Sequence, residues 1–179
     1  MRRALCSADM EIHVSATARS RGILRWADES VACSLGHGGI RPDKVEGDGA
    51  TPAGRFALRR VLWRADRLAR PATALPVAAI REDDGWCDWP GDPSYNRQVS
   101  LPYAARHERL WRADGLYDVV VVIAHNDEPV VAGAGSAVFM HVARGDLGPT
   151  EGCVGLALPD LLRMLARCGA GSTISIASP

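Results

Sequence analysis

The chain has 179 residues, 47% hydrophobic and 23% charged, which suits one soluble globular domain with a substantial core and excludes a disordered polymer. Its 21 basic and 21 acidic side chains cancel, so the bulk charge gives no reason to expect nucleic acid or an anionic membrane as partner. No apolar run approaches the ~20 residues of a membrane-spanning helix.

Residues 1–9 carry two arginines but no apolar stretch of leader length, and are expected to be a disordered tail before a single domain over residues 10–179, with Met10 an equally good start. Five cysteines, Cys6, Cys33, Cys87, Cys153 and Cys168, form no Cys-x-x-Cys pair and are odd in number. They signal neither a disulfide framework nor a zinc ribbon, and fit a reducing, cytoplasmic setting.

Alternating apolar and polar residues predict strands over 11–15, 22–27 and 30–35, an antiparallel meander. A Gly/Pro/Asp-rich segment spans 36–54, followed by strands over 56–63 and 77–80. Residues 81–107 hold Trp86, Trp89, Tyr95 and Tyr103 without clear periodicity and read as a long binding loop. The runs 118–124 and 137–142, almost entirely Val, Ile, Phe and Met, are expected at the centre of the sheet. Pro159 and Asp160 open a helix that places Leu161, Leu162, Leu165 and Cys168 on one face and closes at Gly169, before a last strand over 172–177. The fold expected is mainly β, a mixed sandwich or barrel with one short packed helix.

Chemistry concentrates between Phe139 and Leu156. His141, on a predicted strand, lies twelve residues before Cys153, and Gly145, Gly148 and Pro149 between them favour a loop that doubles back. An imidazole beside a thiol makes a nucleophile and its base, expected here as a thiolate–imidazolium pair. Gly152 removes a Cβ beside the nucleophile, and the N–H groups of residues 152 and 153 are expected to receive an oxyanion. The competing reading is a buried structural cysteine beside a core histidine. Gly47 to Gly54 lacks the Gly-Lys-Ser/Thr ending of a phosphate loop and precedes a strand, which rejects nucleotide binding. No His-Glu-x-x-His or paired-cysteine pattern supports a metal, and no cofactor is expected.

The tetrapeptide Thr150-Glu151-Gly152-Cys153, behind a strand ending in His141, resembles the active-site motif of the YkuD-type L,D-transpeptidase family, whose members carry Ser/Thr-His-Gly-Cys. Asp48-Gly49-Ala50-Thr51-Pro52-Ala53-Gly54-Arg55-Phe56 likewise resembles that family's Asp-x-x-Thr-Pro-x-Gly-x-Phe segment. Two departures stand out: Glu151 occupies the place of the motif His, and Gly155 that of a frequent Arg or Asn. The resemblance implies Cys153 as nucleophile, His141 as base, and a peptidoglycan-derived tetrapeptide or muropeptide as substrate, cleaved between an L-centre and terminal D-alanine. Water as acceptor gives an L,D-carboxypeptidase suited to muropeptide recycling, which the lack of a leader favours; an amine gives an L,D-transpeptidase. A muropeptide-binding module without catalysis is the alternative of another class. Arg144 and Glu151 are expected either to read substrate charge or to pair with each other. Thr150, Tyr95, Asn96 and His107 complete the expected substrate-binding set. Oligomeric state is not legible.

Overall fold

The structure is a computed structural model that describes residues 10–178, so the expected tail over residues 1–9 lies outside the described residues. In chain order the strands are β1 (Glu11–Ala18), β2 (Arg21–Trp26), β3 (Glu29–Ser34), β4 (Ile40–Arg41), β5 (Thr51–Pro52), β6 (Gly54–Trp63), β7 (Val77–Ala79), β8 (Asp84–Cys87), β9 (Gln98–Ser100), β10 (His107–Arg109), β11 (Val119–Ile123), β12 (Phe139–Val142), β13 (Val154–Leu156) and β14 (Thr173–Ile176). One helix, α1 (Leu158–Leu165), follows β13.

The large sheet runs β11-β12-β13-β3-β2-β1-β14-β6-β7, and a further pairing of β11 with β6 closes it into a barrel. Closure leaves the short β7 as the sheet's remaining edge. Period-two alternation divides two apolar clusters across the wall. Val119, Val121, Met140, Val154, Leu156, Cys33 and Leu35 point into the barrel, where Leu161, Met164 and Leu165 of α1 join them. Val120, Val122, Phe139 and Cys153 point outward under a second layer built from Trp86, Leu110 and Tyr117.

That second layer corrects the expectation of an irregular loop over residues 81–107. It is a three-stranded sheet, β10-β8-β9, whose strands of three or four residues are too short to show periodicity. It is pinned to the barrel by the edge of Trp86 against Phe139, with ring centroids 4.9 Å apart. The helix also ends sooner than expected: Ala166 caps it, and Cys168 is buried in the turn beyond rather than on the helix face. Ala143, His141 and Phe139 on one strand, Gly155 and Cys153 on the next, and Ser34 on the third therefore share the outer face, which becomes the floor of the site.

Candidate active site

β12 and β13 are neighbouring parallel strands, with His141 opposite Gly155 and Cys153 immediately ahead of β13. The loop between them returns the thiol to the histidine face, as the glycines and Pro149 implied. Both residues line a cleft of about 450 Å³ whose walls include Lys44, Glu46, Asp88, Glu108, Arg112, Tyr117 and Arg144. Of the four described cysteines, Cys153 alone lines it.

The resting state differs from the expected ion pair. Burial pushes the Cys153 thiol up to about 12, the Glu108 carboxylate adding to the effect against the Phe139 N–H, Lys44 and Arg112. The thiol accepts from Phe139 N–H at 3.3 Å and donates to the Ala137 carbonyl at 3.3 Å. Burial lowers the His141 pKa, opposed chiefly by its bond to the Val142 carbonyl. Burial thus favours the neutral form of both groups before substrate arrives. A carbonyl only accepts, so the 2.9 Å contact between His141 Nδ1 and Val142 oxygen puts the ring proton on Nδ1. Nε2 then carries the lone pair that a general base needs. The ring edge of Tyr117 packs on this imidazole at 5.3 Å between centroids, and the Tyr117 hydroxyl donates to Glu108 at 2.7 Å.

The glycine before the nucleophile serves a different purpose from the one expected. Gly152 has φ of 133°, and a Cβ there would lie 2.7 Å from the Ala50 carbonyl oxygen, so the side chain is excluded by the 44–50 loop rather than by substrate. Its N–H is also occupied, donating to Thr150 Oγ1 at 3.2 Å, while Thr150 Oγ1 donates to the Cys153 carbonyl at 2.7 Å. Thr150 thus stiffens the nucleophile turn. The Cys153 N–H donates to no partner among the described residues and is the donor left for an oxyanion.

The Asp48–Phe56 segment supports this turn from below. Gly36 N–H donates to Thr51 Oγ1 at 2.8 Å, and His37 N–H donates to the Thr150 carbonyl at 2.9 Å. The His37 ring lies over Gly49 and meets the Glu151 carboxylate at 3.1 Å. Glu151 and Arg144 accordingly do not pair with each other. Arg144 is exposed on the cleft wall and has no ion pair among the described residues.

Three expected substrate residues are placed elsewhere. Asn96 is buried, and its amide is fully used: its oxygen accepts from Trp86 Nε1 and Ala137 N–H, and its nitrogen donates to the carbonyls of His125 and Asn126. Tyr95 is buried too, its hydroxyl donating to Glu46 and accepting from Gly135 N–H, so it positions a cleft carboxylate without lining the cleft. His107 lies in β10 with Nδ1 bonded to the Ala105 carbonyl at 2.8 Å, away from the cleft lining. Conversely, Ser34, Lys44, Glu46, Glu108, Arg112 and Tyr117 went unmarked in the sequence, since they reach the cleft from three separate segments and only Tyr117 sits beside a strong strand pattern.

A thiol just ahead of one strand and an imidazole with a free Nε2 on its neighbour, at the floor of one cleft, are the groups that acyl transfer through a cysteine requires. The family model described as L,D-transpeptidase catalytic domain, YkuD, matches residues 10–176, and the chain belongs to that family. Comparisons with curated proteins and with solved structures gave no match. Membership assigns cysteine catalysis on peptidoglycan in general terms. Among the described residues no helix is long and apolar enough to cross a membrane, and no cluster of His, Cys, Asp and Glu is arranged to hold a metal ion.

Proposed function

We propose that the protein is an L,D-carboxypeptidase that removes terminal D-alanine from soluble tetrapeptide stems or muropeptides in recycling. The observation that carries this reading is the placement of Cys153 and His141 at the floor of one cleft, from neighbouring strands, with His141 Nε2 left free. Cys153 Sγ bonds to the carbonyl carbon of the L-centre as its proton passes to Nε2, and the carbonyl electrons move to oxygen, facing the Cys153 N–H. Collapse of that intermediate breaks the C–N bond, and His141 returns the proton to the departing amine, leaving a thioester. Water then attacks with His141 again as base, and the thiol leaves reprotonated.

The walls carry both signs: the carboxylates of Glu46 and Asp88 favour the protonated, non-nucleophilic form of an incoming amine, and Lys44, Arg112 and Arg144 oppose them, so the fate of the acyl group is what separates the two acceptors. The test is mass spectrometry of tetrapeptide incubated alone, then with excess D-amino acid or a second tetrapeptide. Tripeptide plus D-alanine in every mixture is the expected outcome; dominant exchange or 3–3 crosslinked products would establish a transpeptidase instead.

A further inference from the structure

The floor of the cleft beside His141 holds a polar group that neither the fold nor the pair just described uses. Ser34 is fully buried at the edge of the cleft, and its hydroxyl, itself buried, has no hydrogen-bond partner among the described residues. A buried hydroxyl left unpaired is costly, and such groups in folded proteins have an explanation. Its neighbours Cys33 and Leu35 face the barrel interior, so alternation turns Ser34 outward, to the face of His141.

Register fixes the position further. His141, Gly155 and Ser34 stand opposite one another on three successive strands, β12, β13 and β3. A Cβ at Gly155 would lie 2.6 Å from Ser34 Oγ and 3.2 Å from Ala143 Cβ. The hydroxyl therefore sits over Gly155, filling the place where a side chain at 155 would begin, next to the histidine. Arg144, following Ala143, is a guanidinium on the same cleft with no ion pair among the described residues.

We propose that Ser34 and Arg144 form the seat for the α-carboxylate of the departing D-amino acid, with the Ser34 hydroxyl as a specificity-determining donor. This rests on the proposed carboxypeptidase reading. The amine released from the acyl-enzyme takes its proton from His141 Nε2, so it lies over that ring. In an α-amino acid the carboxylate oxygens follow within two bonds of the Cα, which directs them along the row toward Gly155 and Ser34. A hydroxyl with no internal partner can donate to them without losing a bond, and Arg144 supplies the countercharge that a carboxylate needs in a dry site. The glycine at 155 is required because the serine occupies its side-chain space, so the two positions work as one.

The test uses full-length protein labelled with ¹⁵N-histidine, titrated with D-alanine and with D-alaninamide while His141 ring signals are followed. Saturable shifts with D-alanine and none with the amide are expected. Ser34→Ala should weaken D-alanine binding about tenfold, the usual loss for a hydrogen bond to a charged group, while its melting temperature stays equal or rises because no internal bond is lost. Arg144→Ala should weaken binding at least as much. Unchanged affinity in Ser34→Ala, equal shifts with the amide, or no saturable shift in the unsubstituted protein would overturn the seat. Should Ser34→Ala fail to fold, Ser34→Cys is read by the same criteria, and unfolding of both makes the hydroxyl structural and the proposal wrong. Tetrapeptide cleavage is scored separately on the same samples. Cleavage with D-alanine binding indifferent to Ser34 overturns the seat alone, whereas a working seat without cleavage overturns the substrate reading alone.

Discussion

Alkylation of Cys153 as a function of pH distinguishes a neutral pair from a preformed ion pair. With the thiol pushed up to about 12, the thiolate fraction at pH 7.5 is ~3 × 10⁻⁵, against ~0.1 for an ordinary thiol of pKa about 8.5. Thiolate nucleophilicity rises with basicity and recovers roughly 30-fold of that ~3,000-fold deficit, leaving Cys153 about 100-fold slower than an unhindered cysteine. Iodoacetamide labelling followed by peptide mass spectrometry from pH 6 to 9.5 should therefore show a rate rising about tenfold per pH unit. His141→Ala should leave that curve within about threefold, since the imidazole acts only once substrate is present. Rapid labelling that is flat with pH and abolished by His141→Ala would contradict the neutral pair and restore the thiolate–imidazolium pair.

Cys153→Ser and His141→Ala should each lower turnover by at least about a thousandfold, one losing the nucleophile and the other the base; His141→Ala should also lower the melting temperature, because the buried ring packs on Tyr117 and bonds to the Val142 carbonyl. Turnover in the unsubstituted enzyme should fall on the acid side only below the ordinary imidazole pKa of 6.5, because burial lowers His141 and the neutral ring is the working form. Gly152→Ala forces a Cβ to 2.7 Å from the Ala50 carbonyl at a φ of 133°; a cost of about 1–3 kcal/mol should lower the melting temperature by several degrees. Gly145→Ala, which meets nothing within 4 Å, should leave it unchanged. Stability should fall steeply above pH 9, where the unfolded chain ionises thiols that the folded state keeps protonated up to about 12 at Cys33 and Cys153 and about 11 at Cys168. The folded state then binds more protons, so each thiol costs about 1.4 kcal/mol per pH unit; burial also holds Cys87, Tyr95 and Tyr117 protonated, so urea midpoints at pH 9, 10 and 11 check the fall, and Cys153→Ala should make the slope shallower by less than a third.

How much was legible in the sequence depended on whether a residue's task is local. The long apolar runs of β11 and β12 announced themselves, as did the loop that carries Cys153 back to His141, because glycines and proline encode a turn within a few residues. The Asp48–Phe56 pattern was visible, but not its reason: Thr51 holds Gly36, and Ala50 shuts out a side chain at Gly152, contacts some 15 and 100 residues apart in sequence. Strands of three residues in the covering sheet have too few alternations to be read. Asn96 shows the reverse: its match to a family sequence pattern suggested a substrate contact, yet its four hydrogen bonds are all internal, to Trp86, His125, Asn126 and Ala137. The resting protonation state was illegible because desolvation depends on what covers the pair, and the covering layer comes from residues 84–117.

In the proposed mechanism Cys153 carries an acyl group from a peptidoglycan stem with His141 as its base. Intact-protein mass spectrometry after rapid acid quench of the enzyme with tetrapeptide tests it most directly. The predicted result is a mass increase equal to the acyl tripeptide, mapped to Cys153, present in the unsubstituted enzyme and missing in Cys153→Ser and His141→Ala, with free D-alanine released in step. Release of D-alanine with the same yield from Cys153→Ser, or an adduct on any other residue, would contradict it.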